Sequence, residues 1–151
     1  MNEPKPLSEL FPEVVQELVQ RRLDAMRPTV IALPWQLPPL SMNDSGQHWA
    51  TRAKKVRDVR ETACWLVRAA KLGSHQRARI ELHYQPKVNR RRDSPNLAAT
   101  AKPLIDGCVD AHLVPDDTDR HVEGGWPVIH DPVPGEAGRM WLEITILGDP
   151  K

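Results

Sequence analysis

The chain has 151 residues and weighs 17.1 kDa, a length that supports one domain around a single core rather than two. Charged residues make up 27% of it and its mean hydropathy is −0.52, which excludes the run of about 18 apolar residues that a membrane-spanning helix needs. The N-terminal stretch lacks a basic start followed by an apolar run, so we expect a soluble, cytoplasmic protein. The two cysteines, Cys64 and Cys108, are expected to be buried thiols.

The overall charge of +1 hides a strong segregation along the chain. Residues 1–51 carry a net charge of −2, residues 52–92 carry +10, and residues 93–151 carry −7. A basic segment followed directly by an acidic one indicates a surface for a polyanion beside carboxylates that hold a cation. A solvated basic helix next to a solvated acidic edge accounts for the same counts equally well.

The first third of the chain predicts a helical extension followed by a strand. Apolar residues recur at near-helical spacing from Leu10 to Leu23, with Ser8 as a candidate N-cap, and predict a helix within an extension over residues 1–28. The apolar run from Thr29 to Leu33 predicts a strand. The prolines between Leu33 and Leu40 predict a long loop after it.

The middle of the chain predicts its longest helix and a second strand. An apolar stripe that begins at Trp49 predicts a helix over about residues 48–72, ended by Gly73, with Trp49 in the core. Alternating Ile80, Leu82 and Tyr84 then predict a half-buried strand that ends near residue 86.

The last third predicts one more helical segment and two strands. Pro103 lacks a backbone donor, so we expect a break or a fresh helix start near Thr100. Residues 121–131 and 139–147 predict strands, the second by clean alternation. The order of elements predicts a single α/β (α+β) domain over residues 29–151, in which helices pack on a mixed β-sheet and the N-terminal helix is an appendage.

Carboxylates are the residues in this sequence with the clearest chemical potential. Asp93 stands at the end of a predicted strand, and Asp116 and Asp117 stand in the turn after the next helix, which can return them to the neighbourhood of Asp93. Two or three carboxylates beside arginines suit Mg²⁺, which binds one or two of them and retains waters. The alternative is that Asp116 and Asp117 merely form a turn and that Asp93 pairs with an arginine.

The stretch RRRDSPNLAATAKPLIDGCVDAHLVPDDTDRHV (residues 90–122), with PPLSMNDSGQHWATRAKKVR (residues 38–57), resembles the RusA-like Holliday-junction resolvases of bacteria and their phages. The match covers about residues 30–146. This resemblance implies a small homodimeric endodeoxyribonuclease that depends on Mg²⁺ or Mn²⁺. It implies Asp93 as the first metal ligand, Asp117 with Asp116 beside it as the distal ligand, and Lys102 as the lysine that assists cleavage.

One position departs from the family pattern. The family usually has two aspartates around one residue, whereas Pro95 stands where the second is expected. Proline has no ligating side chain, so the site loses one carboxylate. Asn96, Asp106 or water are the alternatives that complete the coordination. Proline after Ser94 also suits a helix start, with Ser94 as N-cap.

Several basic residues are candidates for contact with DNA phosphates. Arg90, Arg91 and Arg92 form either a solvated turn or a phosphate clamp beside Asp93, and Arg52, Lys54 and Lys55 are candidate backbone contacts on the long helix. Lys102 lies four residues before Asp106, which is also the spacing of an ordinary surface ion pair. His121 is interpreted as a strand residue rather than a general base.

The function expected from these features is symmetric nicking of four-way DNA junctions by a metal-dependent homodimer. Two identical active sites related by a two-fold axis supply the two related cuts. The alternative is a branched-DNA-binding protein with weak or lost catalysis, because Pro95 replaces a metal ligand. A third interpretation is a protein-interaction factor that uses the helix between Leu10 and Leu23.

Overall fold

The computed structural model describes residues 3–43, 46 and 48–148. In chain order it contains helices α1 (Leu7–Leu10) and α2 (Pro12–Ala25), strand β1 (Thr29–Ala32), helix α3 (Trp49–Ala70), strand β2 (Arg77–Gln85), a 3₁₀ turn (Ser94–Leu97), helix α4 (Ala98–Asp110), and strands β3 (Val122–Glu123), β4 (Val128–Ile129) and β5 (Arg139–Leu147). The predicted mixed-sheet α+β class is confirmed. Within the described ranges, no helix has the length and apolar character that crossing a bilayer requires.

The sheet is built around β2 and β5. β5 is antiparallel to both β1 and β2, while β3 and β4 pair in parallel with the other edge of β2. Ile80, Leu82 and Tyr84 are buried, as their alternation predicts. The single strand predicted over residues 121–131 is wrong: β3 and β4 are separate short strands, because glycines and Pro127 between them interrupt the ladder.

Helix α3 packs its middle and C-terminal half into the core, through Val59, Ala63 and Val67. Trp49, which we expected in the core, is 76% exposed, because it opens the helix well before Val59, the first buried residue. The helix ends at Lys71, which adopts the left-handed conformation (φ 52°), and not at Gly73.

The two thiols differ in their surroundings. Cys108 is buried, and this burial raises the pKa of its thiol to about 12. Cys64 is half-buried, so the expectation of two buried thiols is confirmed for Cys108 alone.

Helix α4 begins earlier than the sequence indicates and continues through its proline. No break occurs near Thr100, whose Oγ1 donates to the carbonyl oxygen of Leu40 at 2.7 Å and accepts from its N–H at 3.2 Å. Pro103 is buried inside the helix, so packing outweighs the lost backbone bond. Asp93, rather than Ser94, is the residue that precedes the 3₁₀ turn, and Pro95 is the second residue of that turn.

The N-terminal segment forms two helices instead of the one predicted. Phe11 adopts φ −137° and ψ 64°, because the residue before a proline avoids the helical region, and Pro12 then starts α2. Ser8 lies inside α1 and therefore does not cap the longer helix. Helix α2 has no buried residue.

The contact between α3 and α4 depends on Gly107. A Cβ atom there would overlap the carbonyl oxygen of Arg60 and lie 2.6 Å from the Cβ of Ala63. We expect Gly107→Ala to lower the free energy of unfolding by about 1–3 kcal/mol despite the better helix propensity of alanine. Urea denaturation measures this change. Gly125→Ala is the matched control, because nothing lies within 4 Å of its added Cβ; equal curves for the two variants would show that the helices do not need this close approach.

Candidate active site and nucleic-acid interface

Lys102 is the centre of a charged cluster on the surface of α4. Its Nζ donates to Asp106 Oδ1 at 2.8 Å, one helical turn away, and also to Asp117 Oδ2 in the turn that follows the helix. The side chain of Asp116 accepts from the backbone N–H of Asp117 at 2.8 Å. We call Lys102, Asp106, Asp116 and Asp117 the Lys102 cluster. The surface ion pair with Asp106 is thus present, and Lys102 contacts Asp117 as well.

The protonation states of the Lys102 cluster follow from these contacts. Hydrogen bonds to Asp106 and Asp117 raise the pKa of Lys102, and the hydrogen bond from Lys102 lowers the pKa of Asp117. Because the folded pKa of Asp117 is depressed, its contribution to stability is present above the ordinary carboxyl pKa and is lost as the pH falls through the depressed value. Both groups are therefore charged at neutral pH.

A second ion pair links α4 to α3. Arg60 donates to the two carboxylate oxygens of Asp110 at 2.5 and 2.8 Å. This bidentate contact raises the pKa of Arg60 and lowers that of Asp110. Both side chains are more than a third exposed, so solvent screens the pair. Its residues lie 50 positions apart, and no spacing in the sequence indicated the pair.

Asp93 lies in a different place, at a cleft of about 370 Å³. Its lining includes Arg91, Arg92 and Asn96. We call this the Asp93 cleft. The guanidinium of Arg92 lies 5.3 Å from the centre of the Tyr84 ring, and Arg92 Nε and Tyr84 Oη are buried without a hydrogen-bond partner. Both donors lack a partner among the described residues, and both lie covered behind the wall of the cleft.

The basic residues of α3 border the same region. Arg52 donates to the carbonyl oxygen of Ser41, a residue that lines the Asp93 cleft, at 3.4 Å. Lys55 lines a neighbouring pocket that shares Leu37 and Pro38 with the cleft. Lys54 is exposed on α3. Arg90 is exposed just before Arg91, the first of the consecutive residues that line the cleft.

The structure therefore brings the predicted site residues into two groups. Among the described residues, no hydrogen bond or ion pair joins Asp93 to the Lys102 cluster. The nine-residue step from Asp93 to Lys102 corresponds to about 14–18 Å along the axis of the 3₁₀ turn and helix. Of the two candidates for replacing the missing ligand, Asn96 lines the Asp93 cleft and Asp106 belongs to the Lys102 cluster. Pro95, which lies between Asp93 and Asn96 in the sequence, is exposed.

The carboxylate oxygens of the Lys102 cluster are ligands of the kind that Mg²⁺ binds. Adjacent Asp116 and Asp117 offer carboxylate oxygens, and Mg²⁺ requires only one or two carboxylates because it retains waters. Two oxygens that share one Mg²⁺ lie within about 4.2 Å of each other. In the part of the chain that the structure describes, no hydrogen bond or shared ion-pair partner brings Asp93 and Asp117 together in this way.

His121 has a structural contact of its own. Its Nδ1 lies 2.8 Å from the carbonyl oxygen of Gln76, and its own carbonyl accepts from the N–H of Ala78 at 3.0 Å. These bonds hold the entry to β3 against the start of β2. The interpretation of His121 as a strand residue is wrong by one position, because His121 ends the turn that precedes β3 (Val122–Glu123).

Two features were missed in the sequence. Tyr84 contributes an unpaired hydroxyl and a ring face to the Asp93 cleft, although its position in a strand indicated only a core residue. Glu81, His83 and Glu143 meet on the other side of the sheet, where their atoms lie within 4.8 Å of one another. The alternation of polar residues along β2 was visible, but their meeting with Glu143 depends on strand register.

A scan against models of protein families and a search of curated proteins both returned no match for the chain.

Proposed function

We propose that this protein is a metal-dependent endodeoxyribonuclease that resolves four-way DNA junctions by paired nicks, as its resemblance to the RusA-like resolvases implies. The observation that carries the proposal is the contact of Lys102 with Asp117. The resemblance assigns these two residues to one site although they stand 15 positions apart, and their side chains are hydrogen-bonded.

The two groups of residues have different proposed roles. Arg91, Arg92 and Arg52 hold backbone phosphates at the Asp93 cleft, because they supply positive charge there. Exposed Lys54 and Arg90, with half-buried Lys55, extend this contact along the duplex arms. Arg92 is held at the cleft by its contact with the Tyr84 ring, where its guanidinium lies 5.3 Å from the ring centre.

The proposed chemistry is hydrolysis of one phosphodiester P–O bond, with water as the attacking group. Asp117 and Asp116 would hold Mg²⁺, or Mn²⁺ in its place. Asp93, which the resemblance implies as the first metal ligand, and Asn96 lie in the cleft and would donate oxygens to the same ion only after the two groups of residues move together on DNA. The chemistry supplied by a bound Mg²⁺ is a water of lowered pKa and positive charge against the phosphate. Lys102 Nζ donates to the oxygen that gains negative charge as the bond breaks.

The second candidate function is binding of branched DNA without cleavage. Two observations favour it: Pro95 offers no ligand where the family has an aspartate, and Asp93 lies apart from the Lys102 cluster. In this case the basic surface around the Asp93 cleft retains its role and the carboxylates do not.

One experiment separates these candidates. The protein is incubated with a labelled four-way junction and with a duplex of equal length, in Mg²⁺, Mn²⁺ or EDTA, and both retention and nicking are scored. Paired, metal-dependent nicks in the junction alone support the nuclease. Retention that weakens steeply with salt but yields no nicks supports the binding protein, and retention of neither DNA contradicts both.

The homodimer is part of the same proposal, and we place its contact on α2 with a second copy of this chain. The helix and its flanks expose large apolar side chains by more than half: Phe11, Val14, Leu18, Val19, Leu23 and Met26. Its first half carries Glu13 and Glu17, a charge of −2, and its second half carries Arg21, Arg22 and Asp24, a charge of +1, so an antiparallel second copy would set an acidic end against a weakly basic one. Burial of such a face is the usual reason for an isolated amphipathic helix to persist.

Leu18→Glu should convert this dimer to a monomer, because it places a charge within the apolar face. Sedimentation velocity over a range of protein concentrations measures the change. Gln16→Glu adds the same charge nearly opposite on the helix and should leave the dimer intact. A wild-type chain that stays monomeric, or a dimer that tolerates Glu at position 18, would exclude α2 as the interface and leave it free for a different protein.

A further inference from the structure

The face of the sheet that points away from α3 and α4 carries a group of polar residues that the proposed function does not use. Glu81 and Glu143 are direct partners in the β2–β5 register, and His83 pairs with Trp141 two positions along. Like charges directly opposite each other on a sheet are unfavourable unless something compensates them.

The neighbouring cations form their close contacts with other residues. Arg79 and Arg77 lie at 2.9 and 3.7 Å from the carboxylate oxygens of Glu123, and Arg139 donates to Gln85. Within the described residues, no lysine or arginine forms an ion pair with Glu81 or Glu143. Arg79 interacts electrostatically with Glu81 but forms its ion pair with Glu123, so among the described residues neither Glu81 nor Glu143 has a lysine or arginine in direct contact.

His83 is buried and points into this carboxylate pair. It is 7% exposed, and its Nε2 has no hydrogen-bond partner although it lies 3.3 Å from Glu143 Oε2. Its Nδ1 lies 2.8 Å from His130 Nε2. With the proton on Nδ1 and donated to His130, His83 presents the lone pair of Nε2 to the carboxylates, so three acceptors face one another without a donor.

Surrounding contacts hold the ligand atoms in place. The Trp141 ring stacks on His83 and on His130, with centroid distances of 5.4 and 4.9 Å, and its Nε1 donates to Glu143 Oε1 at 3.2 Å. Metal-binding imidazoles and carboxylates are usually oriented by hydrogen bonds to the nitrogen or oxygen that does not bind the metal. Burial also lowers the pKa of His83, which favours the neutral ring.

We propose that Glu81, His83 and Glu143 form a zinc-binding site on this face of the sheet. One imidazole nitrogen and two carboxylates suit Zn²⁺, whereas Mg²⁺ prefers oxygen ligands alone. Two ligands of a tetrahedral Zn²⁺ with bonds of about 2.1 Å lie about 3.4 Å apart, close to the 3.3 Å between His83 Nε2 and Glu143 Oε2. Three protein ligands leave the fourth position for water or another donor.

The test is titration of the metal-free protein with Zn²⁺ by calorimetry, with Co²⁺ as a spectroscopic probe of the ligand geometry. We expect one zinc ion per chain at this site and the visible absorption of tetrahedral Co²⁺. Glu143→Gln and His83→Gln should each weaken Zn²⁺ binding at least about tenfold. Glu123→Gln, which lies beyond the site and pairs with Arg79, should not change it.

Two further measurements locate the ion and test the repulsion between the carboxylates. Asp117→Asn should retain the zinc site, because Asp117 belongs to the Lys102 cluster; loss of zinc in that variant would place the ion there instead. Without metal, Glu143→Gln should melt at the same or a higher temperature than the wild type, because it removes the repulsion from Glu81, and it should lose the increase that Zn²⁺ produces. Absence of zinc binding, or unchanged binding in Glu143→Gln and His83→Gln, would overturn the site and indicate a protonated His83–Glu143 pair.

Discussion

Asp117→Asn should reduce metal-dependent nicking of a four-way junction by at least about 100-fold while junction retention stays within about threefold of wild type. The substitution preserves the size of the side chain but removes the charge that would attract Mg²⁺ and that holds Lys102. The basic residues around the Asp93 cleft are untouched, so phosphate binding remains. Nicking of a labelled junction in Mg²⁺, with retention measured in EDTA, determines both quantities.

Asp119→Asn is the matched control for this prediction. Asp119 is an exposed carboxylate in the same turn, so its substitution makes the same chemical change two residues away. Cleavage in that variant should equal the wild type. If Asp117→Asn unfolds instead, as thermal denaturation would show, Asp117 has a structural role through Lys102; if it folds and cuts normally, the Lys102 cluster is not the active site.

The sequence predicted best those elements in which the spacing of apolar residues matches the spacing of buried side chains. β5 and the first half of β2 alternate in burial because one of their faces packs on the helices, and this alternation is readable in the chain. The second half of β2 is buried on both faces, from Leu82 to Gln85, which its alternating sequence did not indicate. Trp49 was misplaced because a helical stripe does not reveal where along its length the core begins. Pro103 was read as a helix break because the local cost of a proline is visible in the sequence, whereas the packing that outweighs it is not.

The candidate site was predictable to a similar degree. Lys102 and Asp106 share a helical face, which spacing alone indicates, and the approach of Asp117 needed the turn that returns the chain to α4. We expected Asp93 to approach Asp117 because short connections place neighbouring elements close together. The 3₁₀ turn and α4 lie between the two residues, and the length of this segment keeps Asp93 away from Lys102, the contact of Asp117. Glu81 and Glu143 stand 62 residues apart, and only the register of β2 against β5 brings them together.

Pro95→Asp should raise Mg²⁺-dependent nicking by at least about tenfold. It restores a carboxylate two residues after Asp93, where the family pattern has one, and adds negative charge beside Asn96 for holding a cation. The fold should tolerate the change, because Pro95 is exposed in the first turn of a helical segment, where an acidic side chain is favourable. The rate of junction nicking as a function of Mg²⁺ concentration measures the effect, which should include a lower Mg²⁺ requirement.

The adjacent residue provides the control that makes this result interpretable. Ser94→Asp adds the same charge to the same turn without restoring the family position, so a general electrostatic effect would raise nicking in both variants. A higher nicking rate in Pro95→Asp alone would show that Pro95 lowers the catalytic activity of the natural chain. Equal rates in wild type and Pro95→Asp would mean that Asn96, Asp106 or water already completes the coordination. Continued absence of nicks in Pro95→Asp, with the junction still retained, would favour the DNA-binding protein over the nuclease.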